Sequence, residues 1–151
     1  MACVLLSGKM WFKVPESIKI VLNGKLPKGV YSKDLILYII KMIKNEDTIY
    51  KAIEFTGTAV SAMSMDARFT MCNMAVEIGA KAALMDVDKI TSDWLKRHTK
   101  RDYTPAYADK DAIYEKTIEL DVSKLVPQIA KPHYVDNVVP VTEIGNVPVN
   151  I

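Results

Sequence analysis

At 151 residues the chain suits a single domain long enough to bury a core. Half of its residues are hydrophobic and a quarter are charged, the balance of an ordinary soluble globular protein. The formal net charge of +2 is too small to point to a nucleic acid or an anionic membrane, and no apolar run approaches the roughly 20 residues that span a bilayer.

The chain opens with Met-Ala-Cys-Val-Leu-Leu-Ser-Gly-Lys, an apolar stretch with no N-cap ahead of it. Lys9 and Lys13 follow the apolar run where a signal peptide would place its basic residues first, so that reading fails. The stretch reads as the last turns of a helix ending near Gly8. Ile18 to Leu22 is a β-branched run closed by the turn pair Asn23-Gly24, and reads as a strand. Ser32 is then the expected cap of a long helix from Lys33 to about Lys44, with Lys41 and Lys44 suited to its last turns. That helix is apolar on most of its circumference and should be buried on more than one face.

Ala52 to Phe55 reads as a second strand, stopped by Gly57. Ser64 is the expected N-cap of a helix from Met65 to Ile78, with Gly79 as its stop. Ala82 to Met85 reads as a third strand and Lys89 to His98 as an amphipathic helix. Tyr103 to Asp111 is a polar loop, Ile113 to Val122 a longer, partly exposed strand, Lys131 to Val138 an irregular stretch, and Val147 to Ile151 the start of another strand. Alternating strands and helices predict an α/β fold with a mainly parallel sheet between two helical layers. Residues 1–130 are expected to form this α/β domain, and 131–151 a connector leading into a further domain. Both ends read as cuts, the last one falling inside an apolar strand.

Chemistry concentrates in one helix. Asn73 and Glu77 are four residues apart and share a helical face, with Thr70 one turn earlier. Their neighbours Met71, Cys72, Met74, Ala75, Val76 and Ile78 are apolar. From the residues alone, Glu77 either lies on a narrow solvated stripe or is a carboxylate that needs a partner. Cys3 and Cys72 are too few for a structural zinc or iron–sulfur site, which needs three or four converging ligands, so no metal ligand is assigned. They read as reduced thiols of a cytoplasmic protein. His98 lies in the basic run Lys96 to Arg101, which reads as a solvated helix end more readily than a phosphate or RNA patch. His133 has no metal-ligand partner at suitable spacing, and Trp11 and Trp94 read as core or interface packing.

The string Met-Cys-Asn-Met-Ala-Val-Glu-Ile-Gly-Ala-Lys-Ala resembles a helix motif of the aconitase superfamily. The runs GKMWFKVPESIKI, YSKDLILYII, IEFTG, MSMDARFTMCNMAVEIGAKA and PHYVDNVVPVTEIG follow the order of its isopropylmalate dehydratase and homoaconitase branch. The resemblance covers nearly the whole chain. It implies an aconitase-type three-layer α/β/α domain from the large subunit of a hydro-lyase that isomerises a 2-alkylmalate by dehydration and rehydration. Glu77 would then handle the proton of the leaving or attacking water. Asn73 would orient a [4Fe–4S] cluster held by three cysteines outside this chain, and no cluster is expected on the chain itself. The expected partners are the remaining large-subunit domains and a separate small subunit, the swivel domain, which supplies the serine base. Alone, the chain is expected to be inactive and to self-associate. A non-catalytic interaction module is the rival of another class.

Overall fold

The computed structural model describes residues 2–43 and 48–147. Strands β1 (Ser17–Asn23), β2 (Ala52–Thr56), β3 (Ala82–Met85) and β4 (Lys116–Asp121) form one sheet in the order β3-β2-β1-β4, parallel throughout. Its register sets Ile18 beside Ile53, and Ile20 between Phe55 and Ile118. Alternation along the strands sends Ile18, Ile20, Leu22, Ile53 and Phe55 to one face, where all five are buried. Each contributes roughly 1.5–3 kcal/mol by leaving water.

Helix α2 (Ser32–Met42) supplies Leu35, Ile36, Leu37, Ile39 and Ile40 to the same core. These residues span most of the helix circumference because α2 also packs against α4 (Met65–Met74) and the antiparallel pair β5 (Gln128–Ala130) and β6 (Val138–Pro140). The α/β class, the parallel sheet flanked by helices and the many-sided burial of α2 all match expectation. The other sheet face carries Lys19 and Glu54, 3.3 Å apart, with Leu84 exposed beside them. The Tyr114 hydroxyl donates to Glu54 Oε2 at 2.7 Å, laying the irregular segment before β4 across this face.

Several boundaries differ from expectation for local reasons. The N-cap of α2 is Tyr31 rather than Ser32, because Asp34, three residues on, accepts the Tyr31 N–H at 2.8 Å. Lys44 lies outside the described residues, as does most of the closing strand expected over Val147 to Ile151. A short helix, α3 (Thr58–Ser61), follows β2 directly. Gly57 makes that turn possible: its φ is 107°, and a Cβ there would collide with the Leu22 carbonyl. β4 begins at Lys116 rather than Ile113, since β1 offers no partner before Ser17; the Glu115 N–H already bonds the Ser17 carbonyl at 2.9 Å.

The opening helix α1 (Ala2–Ser7) ends at Gly8 as expected, at φ 61°, with the Gly8 N–H on the Val4 carbonyl at 2.8 Å. None of its residues is buried. Trp11, read from the sequence as core or interface, stands outside the core, 84% exposed. No described helix is long and apolar enough to cross a membrane.

Candidate active site

Helix α4 starts where Ser64 was expected to cap it: the Ser64 hydroxyl oxygen accepts the Ala67 N–H at 3.3 Å. At Ala75 the helix tightens into a 3-10 turn, Ala75–Ile78, and Gly79 ends it in the left-handed region at φ 75°. The combined segment therefore spans the range expected from Ser64 and Gly79. Arg68, Met71, Ala75 and Ile78 face inward and are buried. Asp66, Thr70, Asn73 and Glu77 form a second stripe, offset by four, three and four residues, and face outward.

Asn73 and Glu77 are both exposed, and neither makes a hydrogen bond or ion pair among the described residues. The structure thus brings them to one solvent-facing end of the helix with their polar atoms unengaged. The tighter 3-10 winding, about 120° per residue against about 100° in an α-helix, swings Glu77 some tens of degrees past the line of Asn73. An open cleft of about 460 Å³ adjoins the first half of the same stripe. Lys25, Ser32, Ser64, Asp66 and Thr70 are among its lining residues, and Leu26 and Met63 supply apolar surface.

The segment carrying these side chains is tied at both ends. Near its start, the 3% exposed Arg68 reaches Asp88 with both terminal nitrogens, at 2.9 and 2.5 Å. It also donates to the Thr91 hydroxyl at 2.9 Å and the Met63 carbonyl at 3.2 Å. Asp88 is itself the N-cap of α5 (Lys89–His98) and accepts the Thr91 N–H at 3.0 Å. The Arg68 guanidinium, aided by that N–H, holds the Asp88 carboxyl below the usual carboxylate range. At the other end, the Thr48 hydroxyl donates to the Ile78 carbonyl, and the Tyr50 N–H to the Gly79 carbonyl at 3.0 Å.

Sequence reasoning missed Arg68. Its signal was present, because positions 68, 71, 75 and 78 form the apolar core stripe of this segment. An arginine in such a stripe calls for a buried acceptor.

The other residues singled out in the sequence lie away from the Asn73–Glu77 pair or beneath it. His98 stacks on Trp94 with ring centroids 3.9 Å apart, and its Nδ1 lies 2.8 Å from the Trp94 carbonyl oxygen. Phe69 meets the same Trp94 edge-on at 5.3 Å, so Trp94 joins α5 to α4. Lys96 and Arg97 lie beside His98 in the last turn of α5, where the two cations suit the helix dipole. His133 is exposed between β5 and β6. Burial raises the pKa of the Cys72 thiol, and Cys3 is exposed on α1. Two cysteines on separate helices do not make the donor set of an iron–sulfur cluster, and no group of three metal-binding side chains occurs among the described residues.

The geometry defines an α/β domain that presents an amide and a carboxylate to solvent from one pinned helix. The model of the aconitase family (aconitate hydratase) matches residues 1–150, and the chain belongs to that family. Among curated relatives, the 3-isopropylmalate dehydratase large subunit of Clostridium kluyveri is 48% identical over 150 residues, 99% of this chain and 36% of the relative. The 3-isopropylmalate dehydratase large subunit 1 of Thermotoga maritima is 47% identical over 95% of the chain and 35% of its own length. A probable methanogen homoaconitase large subunit from Methanosarcina mazei is 46% identical over 95% of the chain and 37% of the relative. The chain thus spans little more than a third of the curated relatives it matches.

Proposed function

We infer that this chain is part of the large subunit of a 3-isopropylmalate dehydratase, to which it contributes Glu77 as a proton-handling group and Asn73 as a hydrogen-bonding residue that orients the cluster held by the rest of the enzyme. The observation that carries the reading is the unengaged Asn73–Glu77 pair at the exposed end of a helix fixed at both ends. A carboxylate left free to exchange a proton suits general acid–base work on a departing or entering water. A rigid support suits the placement that such work needs.

The dehydration removes a hydroxyl from one carbon of a 2-alkylmalate and a proton from its neighbour. Rehydration returns water with the two positions exchanged. An iron–sulfur cluster held by the rest of the large subunit would supply Lewis acidity toward the hydroxyl. This chain holds none of its thiolate ligands under the reading, and they belong to the rest of the large subunit. The chain's own part is to hold Glu77 where a water proton can pass to or from its carboxylate. The small subunit completes the site, and the chain alone is inactive. A cytoplasmic location accords with two unpaired thiols.

The similarity to the methanogen homoaconitase subunit supports a second reading, the same chemistry on a homologous tricarboxylate. A hybrid separates the two. This chain would replace the matching segment of the Clostridium kluyveri large subunit, which would then be assembled with its small subunit and assayed on both substrates. Turnover of the isopropylmalate isomers supports the first reading, and a shift toward the homoaconitase substrate supports the second. A hybrid that assembles, carries its cluster and turns over neither contradicts both.

A further inference from the structure

Thr48 and Arg68 are the two polar side chains buried in the core among the described residues. Both act on the segment that carries Asn73 and Glu77. Arg68 secures its first half to α5, about nine residues before Glu77. Thr48 acts beside Glu77 itself, because its hydroxyl donates to the carbonyl of the next residue, Ile78.

The 3-10 turn makes this bond matter. A helix end leaves carbonyls without intrahelical donors, and a tightened last turn satisfies only some of them. Here the Gly79 N–H returns to the Val76 carbonyl at 2.9 Å. The Ile78 and Gly79 carbonyls are met from outside, by the Thr48 hydroxyl and the Tyr50 N–H at 3.0 Å. The carbonyls of the residues before and after Glu77, Val76 and Ile78, are therefore both bonded.

The donor segment is itself held in an unusual shape. Tyr50 has φ 64°, in the left-handed region that aromatic residues avoid. The Tyr50 hydroxyl bonds the Lys13 carbonyl at 3.3 Å, and Lys81 Nζ lies 4.9 Å from the centre of its ring. Ile49 packs where a Cβ on Gly79 would meet it at 3.2 Å. Surroundings that over-determine a strained residue are the condition under which such strain persists.

We propose that Thr48 is a positioning residue for Glu77, fixing through the Ile78 carbonyl the turn from which the Glu77 carboxylate meets its substrate water. The proposal rests on the functional reading of Glu77 given above. Thr48→Val keeps the shape and removes the donor, whereas Thr48→Ser keeps the donor.

The experiment has two readouts. In the 151-residue chain, amide hydrogen exchange at Tyr50 and Gly79 should rise about tenfold in Thr48→Val, with β1 amides unchanged and Thr48→Ser like the parent. In the full-length large subunit that contains this chain, assembled with its small subunit, Thr48→Val should lower kcat about tenfold or more. KM should move by less than about twofold, the mark of an interaction made in the transition state, and Thr48→Ser should restore kcat. Unchanged exchange in Thr48→Val overturns the proposal, as does faster exchange of the β1 amides to the same degree, which marks general loosening. Full kcat in Thr48→Val beside an inactive Glu77→Gln overturns this inference alone. Full activity in Glu77→Gln overturns the functional reading, and this inference with it.

Discussion

Two apolar regions of this molecule meet opposite fates. Ile18, Ile20 and Leu22 on β1 lie at the centre of the core, shielded by α2. A few residues earlier, Leu5, Leu6, Met10, Trp11, Phe12 and Val14 stand in solvent, Leu6 at 89% exposed. The side chains are equally hydrophobic, and what differs is the second layer. β1 alternates against strands on both sides and a helix above. The opening segment meets little beyond one hydrogen bond from Tyr50. Hydrophobicity supplies a demand for burial, and topology decides where that demand is met. Where it is left unmet over a contiguous stretch, the surface is suited to a partner.

The largest expected effect sharpens the contrast directly. Ile20→Ala should cost about 2–5 kcal/mol in chemical denaturation, by lost transfer energy and the cavity left behind. Leu6→Ala should change stability by less than about 0.5 kcal/mol. Equal costs for the two would break the comparison.

Next comes the one charged side chain found in the core among the described residues. Asp88→Ala strands the Arg68 guanidinium, whose side chain is 4% exposed, and should cost about 3 kcal/mol. Arg68→Met should cost less, because Asp88, with its side chain 35% exposed, can regain water. The pair also fixes a pH dependence. The Asp88 carboxyl is depressed in the folded state, so its contribution is fully present above the ordinary aspartate range near pH 3.9. It is lost as pH falls through the depressed folded value. Melting temperature in the parent should therefore drop more steeply below about pH 4 than in Asp88→Asn.

A smaller effect concerns the open segment. The isolated chain should self-associate through it, and Trp11→Ser with Phe12→Ser should shift light scattering toward monomer while leaving the melting temperature nearly unchanged. A parent chain that is monomeric at high concentration contradicts this.

Much of this was legible in the sequence where a residue acts locally. Ser64 and Gly79 mark the ends of the segment bearing Asn73 and Glu77 because a cap and a left-handed stop are decided within a few residues. The strand at Ala82 to Met85 and helix α5 fell at the boundaries read from composition. What escaped depends on distant partners. The place where β4 starts is set by where β1 begins, almost a hundred residues earlier. Arg68 finds Asp88 twenty residues on, and Thr48 finds Ile78 thirty residues on. The cap at Tyr31 was hidden differently: the serine beside it is the better cap by type, but Asp34 sits at the right offset for Tyr31. For the site, the shared face of Asn73 and Glu77 was readable, whereas the 3-10 tightening beneath Glu77 was not, and the donors that meet its last carbonyls, Thr48 and Tyr50, lie about thirty residues away.

Under the proposed function, Glu77 handles a proton from a helix whose stability does not depend on that carboxylate. Glu77→Gln keeps the size of the side chain and removes its proton chemistry. The direct test is hydration of the unsaturated intermediate by the assembled enzyme, wild type against Glu77→Gln, with thermal melts of the 151-residue chain in both forms. The account predicts a fall in kcat of about 10²–10⁴-fold, with stability changed by less than about 0.5 kcal/mol because the residue is exposed and unpaired among the described residues. Near-full activity, or activity lost only in step with melting of the chain, would contradict it.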